Sequence, residues 1–220
     1  MEKVLIIGSS GGIGSALAQV LGAQGYNVIG LSRSGNGLDI TDEASVDQHL
    51  GSLDDLAGVI VASGALEING AVPEKTIKAI SAQAMADQFA LNTIGPALVL
   101  KHAPHLLRRS GRSVFAVLSA RVGSIGDNRL GGWISYRAAK AAVNQVVRTG
   151  AIELARTHPD ALCVAIHPGT VQTEFTRKYL GRAPSVPPTE AAENILRVLN
   201  GLSSSETGRF FDWAGQEVAW

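Results

Sequence analysis

Short apolar runs alternate with segments whose apolar residues recur every three or four positions, and this alternation organises the 220-residue chain. Val4 to Ile7 is an apolar run that ends in glycines. Ile13, Ala16, Leu17, Val20 and Leu21 then follow at helical spacing, so the opening reads as strand, turn, helix. Val28 to Leu31, Leu56 to Ala62, Val114 to Leu118 and Leu162 to Ile166 repeat the strand pattern. Helices are expected over Thr41 to Leu50, much of Ile77 to Arg109, Ile134 to Thr157 and Thr189 to Leu202, with Gly95-Pro96 and Pro104 bending or interrupting the second. Strands that are apolar on both faces need cover on both sides, which a parallel sheet between two helix layers supplies.

One connection breaks the rhythm. Only Ser32 to Gly37 separates the second strand from Leu38-Asp39-Ile40, whereas a parallel crossover ordinarily takes about a dozen residues including a helix. The crossover helix is therefore expected to be missing, leaving Leu38 to Ile40 as a very short third strand or as an extended segment at the sheet edge. Arg177 to Pro188 reads as a loop, and Arg209 to Phe211 as a last strand.

A 45% hydrophobic content and the absence of any linker indicate one domain over residues 1–220. Nineteen basic and nineteen acidic residues, with no long run of either sign, give no support to a nucleic-acid or membrane-surface partner. Cys163, the single cysteine, lies in an apolar run and reads as a buried small residue in a reducing compartment; no metal-ligand spacing accompanies it. The apolar run before Gly8 is too short for a signal-peptide core, and no stretch approaches the roughly 20 residues of a membrane span, so a soluble cytoplasmic protein is expected.

Two motifs carry chemistry. In Gly8-x-x-x-Gly12-x-Gly14, between a buried strand and a helix, glycines permit positive φ and let backbone amides approach a ligand, while the helix N-terminus offers partial positive charge to a pyrophosphate. In Tyr136-Arg-Ala-Ala-Lys140, tyrosine and lysine stand one helical turn apart on one face, close enough for the ammonium to favour the phenolate.

Together these residues resemble the short-chain dehydrogenase/reductase family, with its Thr-Gly-x-x-x-Gly-x-Gly cofactor turn and Tyr-x-x-x-Lys active site. Ile7 replaces the usual threonine before Gly8. Further matches follow in the family's order over nearly the whole chain: Asp39 as the adenine-side aspartate, Gly64 ending the fourth strand, Asn92 before Gly95-Pro96, and Pro168-Gly169-Thr170-Val171-Gln172-Thr173. Leu118-Ser-Ala-Arg-Val-Gly-Ser-Ile-Gly-Asp-Asn and the ending Phe211-Asp-Trp-Ala-Gly look like the C-factor-like and carbonyl-reductase-like branch.

The resemblance implies a single-domain Rossmann fold, a doubly wound parallel sheet of about seven strands. It also implies hydride transfer between a nicotinamide and a small-molecule carbonyl or alcohol, with Tyr136 as general acid or base. Lys140, with the charge of oxidised nicotinamide, is expected to lower the phenol below about 10 and to hold the ribose, while Asn92 anchors a relay water. Cofactor contacts are expected from Gly8, Ser10, Gly12, Ile13 and Gly14 in the turn, and from Asp39, Ile40 and Gly64 along the adenine side. Pro168, Gly169, Val171 and Thr173 follow at the carboxamide. Ser32-Arg33 stands where an acidic residue selects NAD and an arginine accommodates the 2′-phosphate, so NADP(H) is favoured over NAD(H), with Asp39 as the counterweight.

The family's catalytic serine has no clear counterpart. Alignment puts Ala120 in its place; Ser119 is ranked first as a substitute and Ser124 second. On a regular strand, one residue's displacement means the opposite face, so Ser119 serves only where the strand has ended or bulged. Trp133, Phe175 and Tyr179 are candidates for an apolar substrate pocket, with core packing an equal explanation, and His167 reads as structural. A regulator or signal that binds cofactor with little turnover is the alternative function, favoured by Ala120. Homodimers and homotetramers are common in the family, and the small insertion before Tyr136 leaves assembly open.

Overall fold

In the computed structural model, which describes residues 1–181 and 184–220, the apolar runs pair into one parallel sheet of order β2-β1-β3-β4-β5-β6. The strands are β1 (Lys3–Ile7), β2 (Asn27–Leu31), β3 (Gly58–Val61), β4 (Ser113–Leu118), β5 (Ala161–His167) and β6 (Phe210–Asp212). Register aligns Ile7, Val61, Val117, Ala165 and Phe210 in one transverse row. That row faces one core, shared with α3 (Glu43–Leu50), α5 (Gly95–Lys101) and α7 (Ile134–Leu154). Residues of the other parity, such as Ile6, Ile60, Ala116 and Val164, face a second core under α1 (Gly12–Ala23) and α8 (Pro188–Gly201). Both strand faces are apolar because both are covered.

Among the described residues six strands form where about seven were expected. Leu38 to Ile40 joins no ladder; Leu38 and Ile40 instead turn their side chains into the α3 side of the core, Ile40 against Gly95. The crossover before it is a single turn, α2 (Arg33–Asn36), whose N-cap Ser32 accepts a hydrogen bond from the Gly35 amide at 3.1 Å. Residues 182 and 183 of the expected loop Arg177 to Pro188 lie outside the described residues. Among the rest, Arg177–Tyr179 form a short 3-10 turn.

The long helical stretch after β3 is divided as its prolines require. It runs as α4 (Ala82–Phe89), a π turn (Ala90–Ile94), α5, and the short α6 (Ala103–Leu106). Pro96 brings no N–H to the carbonyl four residues earlier, that of Asn92, and its ring crowds that carbonyl, so the ladder widens there.

Because β2 and β3 flank β1 on opposite sides, the connections leaving this centre diverge at the carboxyl ends of the strands, where open α/β sheets bind ligands. Among the described residues no helix is long and apolar enough to cross a membrane, and no cluster of His, Cys, Asp and Glu could hold a metal. A surface groove of about 560 Å³, lined by Lys3, Asp55, Arg108 and Arg109 among others, lies at the opposite end of the sheet.

Two glycines of α1 separate geometry from propensity. A Cβ on Gly14 would lie 2.2 Å from the Gly8 carbonyl oxygen, whereas one on Gly22 meets nothing within 4 Å. Gly14→Ala should therefore destabilise the fold by about 1–3 kcal/mol, and Gly22→Ala should stabilise it by about 0.5–1 kcal/mol. Urea midpoints at constant m-value check both; equal effects would contradict the close approach.

Candidate active site

Four loops meet at the carboxyl edge of the sheet around the first turns of α7. The glycine turn leaves β1 with Gly8 at φ +87, its amide donating to the Leu31 carbonyl at 2.7 Å. A Cβ there would sit 2.8 Å from the Ser63 amide nitrogen, and one on Gly12 would sit 2.5 Å from the Thr173 methyl. No side chain caps α1 at Gly11, and the first amides of a helix have no partner within it. A helix N-terminus with no side-chain cap and glycines in its first turn is a cradle suited to a pyrophosphate. Ser10 is exposed at this turn, Ile13 and Gly14 open the helix, and Thr173 of the loop after β5 closes on them.

Arg33 is exposed at the start of α2, beyond β2, while Ser32 is buried as its cap. Asp39 accepts from the Thr41 amide at 2.9 Å and the Thr41 hydroxyl at 2.7 Å. These bonds, with a smaller contribution from the nearby Arg33 charge, hold its carboxyl below the ordinary value against a modest desolvation cost. Ile40 packs its side chain into the core, which leaves its backbone as the part that could meet a cofactor. At the other end of the edge, the Thr173 amide donates to Thr176 Oγ1 at 3.2 Å and the two hydroxyls lie 3.4 Å apart; the Thr176 hydroxyl also donates to the Val171 carbonyl. Pro168 precedes Gly169, which at φ +80 backs onto the Trp213 indole.

Tyr136 and Lys140 project from one face of α7 and are 6% and 3% exposed. Lys140 Nζ lies 5.8 Å from the centre of the tyrosine ring and donates to the Leu118 carbonyl at 2.9 Å. Gly64 makes room for Asn92 beside the lysine: a Cβ there would lie 2.8 Å from Asn92 Oδ1 and 3.7 Å from Nζ. The expected lowering of the phenol is absent from the protein by itself. Burial pushes Tyr136 above its ordinary value and brings Lys140 down to about 8, because both lose hydration and neither gains an ion partner.

Asn92 is fully buried in the π turn. Its amide nitrogen donates to the Ala65 carbonyl at 2.9 Å and to Gln88 at 2.7 Å, and its Oδ1 accepts from the Ala65 amide at 3.3 Å. Its side chain therefore grips the loop after β3.

The serines go elsewhere. The Ser119 amide still pairs with the Ile166 carbonyl at 2.8 Å, so strand parity persists through this residue and turns its hydroxyl under α7, where it donates to Asn144 Oδ1 at 2.6 Å. Asn144 is two turns beyond Tyr136, about 12 Å along the helix. Ser124 accepts from the Asp127 amide at 3.1 Å. Among the described residues neither hydroxyl bonds to Tyr136. His167, at the end of β5, has a buried Nδ1 with no partner among the described residues; burial first, and Arg121 after it, outweigh the opposing charge of Asp212 and hold it near 4, hence neutral at neutral pH.

The three aromatic candidates do gather. Trp133 meets Tyr136 at 6.4 Å and Tyr179 at 5.3 Å, and Phe175 meets Tyr136 at 6.4 Å, centre to centre. Glu67 ties this segment across the opening by accepting from Lys178 at 2.6 Å and from the Tyr179 hydroxyl at 2.9 Å. Glu74, which no sequence motif marks, also reaches the site. The available signal was indirect, since α7 begins without Ser, Thr, Asp or Asn at its N-cap.

A doubly wound parallel sheet with a glycine turn at its switch point and a buried Tyr–Lys pair beside it defines the nucleotide-dependent oxidoreductases of the Rossmann class. The comparisons narrow this. The model of the short chain dehydrogenase family matches residues 35–182. The 1-hydroxy-2-glutathionyl-2-methyl-3-butene dehydrogenase of Rhodococcus sp. (strain AD45) is 26% identical over all of both chains. The C-signal of Myxococcus xanthus is 36% identical over 62% of this chain and 78% of its own. Among solved structures, the NADPH-bound carbonyl reductase from chicken fatty liver superposes with a TM-score of 0.85 at 25% identity, over 100% of this chain and 94% of that one. An NADP-bound putative short-chain dehydrogenase/reductase from Burkholderia multivorans gives 0.83 at 25% identity, over 100% and 99%. The chain belongs to the short chain dehydrogenase family, on its C-factor-like and carbonyl-reductase-like side.

Burial of Lys140 has a measurable consequence for folding. From about 8 up to the ordinary lysine value near 10.5, the unfolded chain keeps a proton that the folded chain has lost, so this group's contribution to stability rises with pH across that window. Tyr136, raised by burial, and Cys163, pushed up to about 12 by burial, oppose it in the alkaline range; both cancel in a comparison with Lys140→Met. The variant should therefore exceed the wild type by about 1–3 kcal/mol at pH 7, and the gap should narrow by pH 10. Urea unfolding of both proteins at pH 7, 8, 9 and 10 checks this; a gap that widens with pH reverses the sign.

Proposed function

We propose that this chain is an NADP(H)-preferring oxidoreductase that interconverts a small-molecule carbonyl compound and its alcohol. The observation that carries the reading is the shared burial of Tyr136 and Lys140 on one face of α7, with Gly64 beside the lysine and Phe175, two residues beyond Thr173, beside the tyrosine. When bound, the nicotinamide gives or takes the hydride at the carbonyl carbon. Tyr136 gives the proton to the carbonyl oxygen in reduction and takes it back in oxidation. Lys140 bonds Leu118 with one of its three donors, which leaves donors for the cofactor's ribose and a charge that favours phenolate when it is protonated. Asn92 holds the loop behind the lysine and contributes its carbonyl to the relay water.

The turn residues Gly8, Ser10, Gly12, Ile13 and Gly14 would hold the pyrophosphate through backbone and helix terminus. Ser32 and Arg33 would receive the 2′-phosphate, Asp39, the Ile40 backbone and Gly64 the adenine side, and Pro168, Gly169, Val171 and Thr173 the carboxamide. The NADPH and NADP bound to two structural relatives support this choice of cofactor. We give Ser119 an indirect part, fixing Asn144, so that orientation of the carbonyl oxygen falls to Tyr136. Trp133, Phe175 and Tyr179 would form the apolar wall.

A second reading has its own observation. With Ala120 in the serine's place and neither Ser119 nor Ser124 bonded to the tyrosine, the chain would serve as a cofactor-binding regulator of low turnover, and its likeness to C-signal fits that role. Calorimetry with NADPH, together with NADPH oxidation across a panel of ketones and aldehydes, separates the two; tight binding with no oxidation of any compound favours the regulator.

Two variants test the assignments. Tyr136→Phe should reduce turnover at least 100-fold while NADPH affinity changes less than about threefold, since the phenol moves the proton and does not hold the cofactor. Arg33→Ala should weaken NADPH by about 10-fold or more and leave NADH nearly unchanged, because a charged pair to phosphate contributes roughly 1.5–3 kcal/mol. Equal loss of both cofactors contradicts the phosphate assignment.

A further inference from the structure

The 21-residue α7 starts at a residue that cannot cap it. Trp133 stands at the N-cap and offers no side-chain acceptor. Glu74, in the connection between β3 and α4, supplies what is missing: its Oε2 accepts from the Ser135 amide at 3.2 Å and its Oε1 accepts from the Ser135 hydroxyl. Its main-chain carbonyl accepts from the Trp133 amide at 2.6 Å, which helps hold that residue at φ +53, a left-handed conformation uncommon for an aromatic side chain. Glu74 is 6% exposed, and among the described residues it forms no ion pair; its compensation comes from these donors and from the positive end of a long helix. Glu74 and Tyr136 also line one small cavity with Gln88 and Ser135.

Tyr136 lies in the first turn of α7, the turn that frays when its amides lack partners. Lys140 lies a turn deeper, anchored on Leu118 and packed against Gly123. Loss of the cap would therefore move the phenol relative to an ammonium that stays in place. The glycine turn, Arg33 and Thr173 belong to other elements and keep their positions.

We propose that Glu74 is a positioning residue for proton transfer at Tyr136, a helix cap supplied from a distant loop that fixes the aim of the phenol. The proposal rests on the reading that Tyr136 moves the proton. Glu74→Ala should lower kcat roughly 10- to 100-fold, the scale expected for misplacement of a reacting group. KM for the carbonyl should change little, because the main-chain bond to Trp133 survives the substitution, and NADPH affinity should be unchanged. Glu74→Gln keeps an acceptor oxygen for the Ser135 amide and should recover most of kcat.

Hydrogen exchange at the Ser135 and Tyr136 amides gives a readout independent of turnover: it should speed up in Glu74→Ala and remain near the wild-type rate in Glu74→Gln. Wild-type kcat in Glu74→Ala overturns the positioning role while Tyr136 chemistry stands. A kcat in a folded Glu74→Gln as low as that of Glu74→Ala overturns the cap, and this comparison decides the matter through the Gln variant if the Ala variant fails to fold. Absence of turnover in the wild type overturns the Tyr136 reading and the positioning role together, while the exchange data show whether the cap itself exists.

Discussion

A lysine ammonium buried to 3% exposure, with one carbonyl as its acceptor, is the constraint on which the upper edge of this fold depends. Removing an ammonium from water is costly unless its donors find partners, and burial has already brought Lys140 down to about 8. The surrounding chain is shaped to admit it. β4 ends with the Leu118 carbonyl aimed at Nζ; Gly123 lies so close to α7 that a Cβ would sit 2.7 Å from the Lys140 carbonyl carbon; and Gly64 omits a Cβ where one would face Nζ. Three separate connections thus converge near one residue, with glycine required at position 123 by the Lys140 main chain and at position 64 by Asn92 Oδ1.

From that anchor the helix carries polar groups to different heights along the edge. Tyr136, Lys140 and Asn144 follow one another at four-residue intervals and share a stripe. Asn144 takes the Ser119 hydroxyl at the level of the sheet, Lys140 takes the end of β4, and Tyr136 stands above, walled by Trp133 and Phe175. The lower two are fixed by bonds to the sheet, whereas the topmost depends on whatever secures the first turn. The first turn of the helix and the two turns below it are therefore held by different means.

The sheet was legible because its signal is redundant: most strand positions are apolar on both faces, and parity sorts the apolar ones between two cores. Bonds made across long sequence separations were harder to read. Leu38 to Ile40 has strand-like composition but no room to pair after a single-turn crossover, so its apolar side chains fill the core without adding a strand. Gly95-Pro96 announced a break, but the widened turn it produces before itself, which buries Asn92, follows from the carbonyl that Pro96 leaves without a donor. Glu74 stood in an unmarked loop, and only the failure of Trp133 as a cap hinted that something must reach α7 from outside.

Ser119 shows how one residue of strand parity decides chemistry. Had pairing ended at Leu118, the chain could have turned the hydroxyl toward the tyrosine. Instead the Ser119 amide completes one more bond to β5, and the side chain follows Val117 to the α7 face and meets Asn144. The phenol thus stands beside the ammonium with, among the described residues, neither Ser119 nor Ser124 bonded to it. In the free chain burial also raises the phenol, and an added positive charge beside it would counter that shift. An oxidised nicotinamide carries such a charge. On the reading proposed above, cofactor binding would therefore do more than deliver a hydride, since it would also tune the phenol that exchanges the proton.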